Sequence, residues 1–130
     1  MFAERLANTG QHSRYLRWAI TTTTTGNTMP SFSARSLANL DTCHEDLQKV
    51  FFEVVQHFDC TVLCGHRGKQ DQDQAYRTGK SQVRWPDGNH NKYPSNAVDV
   101  APYPIDWEDR ERFVYFGGFV LGMANAMGIG

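Results

Sequence analysis

The chain has 130 residues, a formal net charge of −1 and a hydrophobic fraction of 40%, which are typical of one globular domain. Its basic residues are scattered among a similar number of acidic ones, so the sequence has no basic footprint for nucleic acid. No apolar run approaches the roughly 20 residues that span a bilayer, and we therefore expect neither a nucleic-acid partner nor a membrane partner.

Residues 1–35 are predicted to be a disordered leader, and residues 36–130 are predicted to form the domain. The early segment RYLRWAI has arginines on its left, but its apolar core is shorter than that of a signal peptide, and TTTTTGNT follows at once. Translation from upstream of a more natural start at Met29 and a targeting role are the two explanations that stay open for this segment.

The first predicted helix follows Thr42, which has the spacing of a capping box with Glu45. Apolar residues then recur at intervals of three and four, which is typical of a helix with one buried face. The residues of this predicted face are Leu47, Val50, Phe51, Val54, Val55 and Phe58.

The sequence CTVLC, residues 60–64, predicts a short buried strand that Gly65 closes. In a strand, Cys60 and Cys64 would share a face but lie about 13 Å apart, whereas a disulfide needs Cα atoms within about 7 Å. This geometry argues against a disulfide and against a zinc site formed by the cysteines. Together with Cys43 they are expected to be buried free thiols in a reducing compartment.

Three further segments precede the last helix. Residues 69–79 are polar and tolerate a helix, with Gly79 well placed to end it. A loop rich in Pro, Gly, Asn and Asp is predicted over residues 80–95. Residues 96–102 then predict a second strand, which is stopped by two prolines.

The last predicted helix begins at Asp106 as its N-cap, runs to about Met127 and ends at Gly128. Its charged residues cluster near its start and are expected to face water. The residues of its predicted buried stripe are Phe113, Phe116, Gly117, Val120, Ala124 and Met127.

His90 and Asp99 are the candidate metal ligands of this sequence. A loop histidine and a strand aspartate can converge when the chain turns between them, and Pro94 and Ser95 provide such a turn. Imidazole nitrogen and carboxylate oxygen both bind zinc, and an aspartate inside an apolar run needs a partner. A solvated loop histidine and an aspartate that accepts backbone hydrogen bonds are the alternatives, since two ligands do not define a metal site.

A family resemblance favours the interpretation that His90 and Asp99 bind a metal. The segments GHRGKQDQDQAYRTGKS, HNKYPSNAVDVAPYPIDW and RFVYFGGFVLGMANAMGIG resemble the phage endolysin branch of the zinc D-alanyl-D-alanine carboxypeptidase family, the L-alanyl-D-glutamate peptidases, from about Ser36 to Gly130. The resemblance implies an α+β fold in which a small antiparallel sheet is flanked by helices. It also implies that His90 and Asp99 bind Zn²⁺.

The same resemblance assigns Arg67 to holding the substrate and steadying the developing oxyanion. A fixed guanidinium aimed at forming negative charge stabilises a transition state more than a ground state. A surface salt bridge is the alternative for Arg67.

The resemblance also implies a third zinc ligand, a histidine, and an acidic general base, both in a segment that would follow Gly130. We therefore expect a domain that is incomplete at its C-terminus, lacks one or more strands and exposes a sheet edge. His44, His57 and His66 are not expected to replace the missing ligand.

The sequence thus predicts a zinc-dependent peptidoglycan peptidase of the endolysin type. The bond would be L-alanyl-D-glutamate, with a terminal D-alanyl-D-alanine bond as the other candidate. A catalytically inactive peptidoglycan-binding or zinc-binding module is the alternative function, because the third ligand and the base are absent. The partner is the stem peptide, the chain is expected to be a monomer, and it would act on the cell wall after release from the cytoplasm of an infected bacterial host.

Overall fold

Residues 30–130 are described by the computed structural model, in which helices pack around a small antiparallel sheet. This confirms the predicted α+β class. The predicted leader falls largely on residues 1–29, which lie outside the described residues. The elements in chain order are α1 (Ala34–Asp41), α2 (Glu45–His57), β1 (Cys60–Cys64), α3 (Lys69–Arg77), a 3-10 turn (Asn89–Asn91), β2 (Asp99–Pro102) and α4 (Arg110–Ala126).

The two strands pair antiparallel with one irregularity in register. Val62 lies opposite Val100, but Cys64 rather than Leu63 lies opposite Asp99. The extra residue is a bulge, and Leu63 points outward with 39% of its surface exposed. Because side chains alternate along a strand, the bulge changes which residue at the end of β1 faces the first residue of β2.

Helix α1, which the sequence analysis did not predict, covers the outer edge of β1. It begins after Ser33, whose hydroxyl accepts a hydrogen bond from the Ser36 amide at 3.2 Å. The Ser36 hydroxyl in turn accepts from the Val62 amide at 3.1 Å, and the Asn39 side-chain amide donates to the Val62 carbonyl at 3.0 Å. Two polar side chains thereby satisfy backbone groups that an open sheet edge would expose.

The predicted capping box at Thr42 is wrong. Thr42 instead ends α1, with its hydroxyl donating to the Asn39 carbonyl at 2.7 Å. The N-cap of α2 is His44, whose Nδ1 accepts from the Asp46 amide at 3.1 Å. The hydroxyl at Thr42 is not available as a cap because it also accepts a hydrogen bond from the amide of His66 at 2.8 Å.

The apolar face predicted for α2 is confirmed, and it packs against α4. The centre of the face is fully buried, while Leu47 and Phe58 are partly buried against the core. The Phe58 ring lies 5.0 Å from the Phe116 ring, in an edge-to-face arrangement that joins the two helices. The buried residues of α2 are Val50, Phe51, Val54 and Val55.

Helix α4 begins later than predicted, because Asp109 rather than Asp106 is its N-cap. The carboxylate of Asp106 accepts from the Glu108 amide in the turn before the helix. At the other end Gly128 has a φ of 72° and ends the helix as predicted. The predicted stripe was partly wrong: Phe116, Gly117 and Val120 are buried, whereas Met127 is 38% exposed and the unpredicted Phe119 and Met123 are buried.

Strand β2 is shorter than predicted and begins at Asp99, and the loop before it is hydrogen-bonded to the segment between α1 and α2. The Ser95 amide donates to the Thr42 carbonyl at 2.8 Å, and the Ser95 carbonyl accepts from the His44 amide at 2.8 Å. The three cysteines are free, as predicted. Within residues 30–130, none of the helices has the length and apolar character needed to cross a bilayer.

Gly65, directly after β1, lies in close contact with the end of α1. A Cβ at this position would overlap the Asn39 carbonyl oxygen and the Thr42 hydroxyl, and would lie 2.9 Å from the sulfur of Cys43. The carbonyl oxygen belongs to the backbone and cannot rotate away. The end of β1 therefore lies against α1 only because residue 65 has no side chain.

We predict that Gly65→Ala lowers the free energy of unfolding by about 1–3 kcal/mol, the usual cost of overpacking. Gly118→Ala is the matched control, because Gly118 lies in α4 and no atom lies within 4 Å of the place that an added methyl group would take. Alanine there should raise stability by about 0.5–1 kcal/mol. Urea unfolding of the three proteins measures both changes. Equal effects of the two substitutions would contradict the close approach at Gly65.

Candidate metal centre

The three residues singled out in the sequence lie together at one end of the sheet. Arg67 follows β1, His90 lies in the 3-10 turn, and Asp99 is the first residue of β2. His90 Nε2 is 3.4 Å from Asp99 Oδ1, and Arg67 Nη2 is 3.5 Å from Asp99 Oδ2. Their side chains are only 16%, 20% and 32% exposed for His90, Arg67 and Asp99. The histidine is thus not a solvated loop residue, and the ion pair of Arg67 lies inside the site.

The ring of His90 is oriented by the backbone. Its Nδ1 lies 2.8 Å from the Gly65 carbonyl oxygen, and since a carbonyl can only accept, Nδ1 carries the proton. When Nε2 loses its proton, as it must to bind a metal, its lone pair points to the side of the site where Asp99 lies. A histidine that donates its other ring N–H to a carbonyl is the usual arrangement of a metal ligand.

His90 and Asp99 shift each other's protonation. The hydrogen bond that protonated His90 donates to Asp99 raises the pKa of His90 from 6.5 to about 9. The same hydrogen bond lowers the pKa of Asp99 from 3.8 to about 2. Both groups are therefore charged at neutral pH when no metal is bound. A metal cation that binds Nε2 must displace the proton of His90.

Cys64 is a third potential donor, which the sequence analysis missed. Among residues 30–130, the one group that could hold a metal ion consists of Cys64, His90 and Asp99, with one donor atom from each within 4.8 Å of the others. The expectation that all three cysteines are buried is wrong for Cys64, which is partly exposed. Strand alternation alone could not place it, because the bulge in β1 decides where its side chain points.

The spacing of the His90 and Asp99 donor atoms fits zinc. Ligand distances of about 2.0–2.3 Å around a tetrahedral ion separate pairs of ligand atoms by about 3.3–3.7 Å. The 3.4 Å between His90 Nε2 and Asp99 Oδ1 falls in this range. Of the other histidines, His66 turns its Nδ1 to the Lys92 carbonyl at 3.0 Å and lies outside the donor group.

Arg67 is held by a buried amide. Its Nη1 donates to the Gln72 Oε1 at 3.2 Å, and its backbone amide donates to the His90 carbonyl at 2.7 Å. The side chain of Gln72, which is 1% exposed, donates to the Ser81 hydroxyl at 3.0 Å and to the Val83 carbonyl at 2.6 Å. Gln72 thereby ties the arginine to the polar loop that leads to the histidine.

Asn91 closes this network on the other side. Its side-chain amide donates to the Arg67 carbonyl and to Gln72 Oε1, each at 3.1 Å. Its Oδ1 accepts from the Gly88 amide at 2.9 Å. The sequence analysis named neither Gln72 nor Asn91, since buried polar residues carry no periodic signal.

Comparisons with known proteins give a matching family and similar solved structures. The model of a family described as phage L-alanyl-D-glutamate peptidase matches residues 29–130. The crystal structure of the Serratia marcescens L-Ala D-Glu endopeptidase ChiX is similar, with a TM-score of 0.62 and 27% sequence identity over 75% of this chain and 74% of that one. A search of curated proteins gave no match.

The pKa shifts predict how the stability of the metal-free protein depends on pH. Protonated His90 contributes stability that is complete below its ordinary pKa of 6.5 and is lost as the pH rises through about 9. The contribution of ionised Asp99 is complete above 3.8 and is lost as the pH falls through about 2. Between about pH 7 and pH 10, the free energy of unfolding should therefore fall more in the native chain than in His90→Gln.

Urea unfolding in the presence of a chelator, across this pH range, measures the difference. Parallel pH profiles for the native chain and His90→Gln would show that the His90–Asp99 pair contributes nothing.

We predict that Gln72→Leu lowers the free energy of unfolding by about 2 kcal/mol or more, because it leaves buried donors and an acceptor without partners. Gln74→Leu on the exposed face of the same helix is the control and should change stability by less than about 0.5 kcal/mol. Urea unfolding compares the two, and a loss no greater for Gln72 than for Gln74 would contradict the role of the buried network.

Proposed function

The chain belongs to the phage L-alanyl-D-glutamate peptidase family, and on that basis we propose that it is a zinc-dependent peptidase that hydrolyses the L-alanyl-D-glutamate bond of peptidoglycan stem peptides. The observation that carries the proposal is the convergence of Arg67, His90 and Asp99 from three separate segments. As a phage enzyme it would be made in the host cytoplasm and would reach the wall after release, acting as a monomer.

The zinc ion would be held by His90 Nε2 and the carboxylate of Asp99. When bound, zinc polarises a scissile carbonyl and lowers the pKa of water. The hydrogen bond from His90 Nδ1 to Gly65 fixes the ring so that Nε2 keeps its orientation. Asp99 is held between His90 and Arg67, so its carboxylate is positioned before a ligand arrives.

Arg67 would stabilise the negative charge that develops on the carbonyl oxygen. Its guanidinium is anchored by Gln72 through Nη1, while Nη2 faces Asp99 and the sulfur of Cys64. A guanidinium held in place needs little reorganisation when the charge forms, and that is the basis of electrostatic catalysis. The same positive charge suits a substrate whose glutamate residue carries a carboxylate.

Mass spectrometry of purified muropeptides incubated with the chain and zinc tests the proposal. The expected products result from cleavage between L-alanine and D-glutamate, and they should vanish with His90→Ala. Cleavage at a terminal D-alanyl-D-alanine bond instead would contradict the proposed specificity. Binding of muropeptides or zinc without any cleavage would favour a module that lacks catalytic activity.

Arg67→Lys should lower kcat/KM by about 100-fold or more, because a lysine cannot keep the two-sided contact of the guanidinium with Gln72 and the site. Arg77→Lys, in the exposed last turn of α3, is the matched control and should leave kcat/KM unchanged. Steady-state cleavage of a defined stem peptide gives both values. A lysine variant with full activity would show that Arg67 plays no part in the transition state.

A further inference from the structure

Cys64 lies where a metal bound by His90 and Asp99 would meet a third donor. We propose that the thiolate of Cys64 is a protein ligand of the same zinc ion, so that residues 64, 90 and 99 form a Cys–His–Asp centre. This inference rests on the zinc dependence proposed above. It concerns which residues bind the metal, so its test needs a measurement other than peptidase activity.

The register of the sheet brings a thiol to the site. Cys64 lies directly opposite Asp99 because the bulge after Val62 inserts one residue into β1. In regular pairing Leu63 would occupy that place, and an apolar side chain would face the carboxylate. The bulge thus turns Leu63 outward and brings a thiol to the same end of the sheet as the two other donors.

One short backbone segment positions two of the donors. Cys64 carries the sulfur, and the carbonyl oxygen of the next residue, Gly65, holds His90 through Nδ1 at 2.8 Å. This segment is fixed against α1 by the close approach at Gly65 and by the hydrogen bond from the His66 amide to Thr42. The sulfur and the imidazole are therefore both attached to one fixed backbone segment, which favours the preorganisation of a metal site.

Cys64 differs from the other two cysteines in its surroundings. Cys43 and Cys60 are buried, and burial raises the pKa of their thiols to about 11 and about 12, as expected of inert core residues. Cys64 is partly exposed and is contacted at 3.9 Å by Arg67 Nη2. The same guanidinium nitrogen lies 3.5 Å from Asp99 Oδ2, so it faces the side chains of both Cys64 and Asp99.

The donor chemistry fits zinc and the reaction. A thiolate, a carboxylate and a neutral imidazole balance the charge of Zn²⁺, and a soft sulfur ligand disfavours magnesium and calcium. Three protein ligands leave a fourth position open, as in catalytic zinc sites. The Cys64 thiolate would thus add a third protein ligand to His90 and Asp99.

Substitution of Co²⁺ for zinc tests the inference by absorption spectroscopy. A thiolate ligand gives an intense sulfur-to-cobalt charge-transfer band, which nitrogen and oxygen ligands do not give. We expect the band in the native chain, its loss in Cys64→Ser and its retention in Cys60→Ala, a control on the same strand. Zinc affinity, measured by competition with a chromophoric chelator, should fall roughly 100-fold or more in Cys64→Ser.

A second measurement needs no substitution. Alkylation of the native chain with iodoacetamide, followed by peptide mapping, should label Cys64 far faster than the two buried cysteines. Zinc should protect Cys64 and leave the labelling of Cys43 and Cys60 unchanged. Rapid labelling of Cys64 at saturating zinc would overturn the inference.

The outcomes separate this inference from the proposed function. If the native chain binds zinc through His90 but shows no charge-transfer band, and Cys64→Ser keeps its affinity, the thiolate is not a ligand and the zinc peptidase proposal survives. If the native chain binds neither Zn²⁺ nor Co²⁺, both fail. Loss of the band and of affinity in Cys64→Ser, with both kept in Cys60→Ala, supports the Cys–His–Asp centre.

Discussion

The hydrogen bond from His90 Nδ1 to the Gly65 carbonyl, 2.8 Å long, joins the loop that carries the histidine to the end of β1. It forms because β1 ends against the C-terminus of α1, where residue 65 has no room for a side chain. The amide of His66 is anchored to Thr42 at the same place. The packing of α1 on β1 therefore decides where the imidazole lies, although no residue of α1 belongs to the site.

The site and the apolar core are held by different forces. The core joins α2, α4 and the sheet through buried apolar side chains. On the side of the site, the loops are held by the buried amides of Gln72 and Asn91, which bond to Arg67 and to loop carbonyls. Such a network needs every group paired, because an unpaired buried polar group costs about 1–3 kcal/mol. It keeps the arginine in place through hydrogen bonds.

Helices whose pattern lies within one segment of the chain were predicted well. The errors arose where a helix or a cap depends on contacts with another segment. The apolar repeat of α2 was confirmed because its period depends on that helix alone. Helix α1 was missed because its buried Ser36 and its Asn39 bond to the β1 backbone. Thr42 was taken for an N-cap because its true partners, the Asn39 carbonyl and the His66 amide, are not visible in the local sequence.

By itself the sequence determined the α+β class, the main helices and strands and, through family resemblance, the three residues Arg67, His90 and Asp99. Tertiary structure alone decided that these residues meet, that Gln72 anchors the arginine, and that Cys64 joins the donor group. The physical reason is that side-chain direction in a strand has a period of two, so a single bulged residue reverses the faces beyond it. Only the pairing of β1 with β2 reveals that bulge.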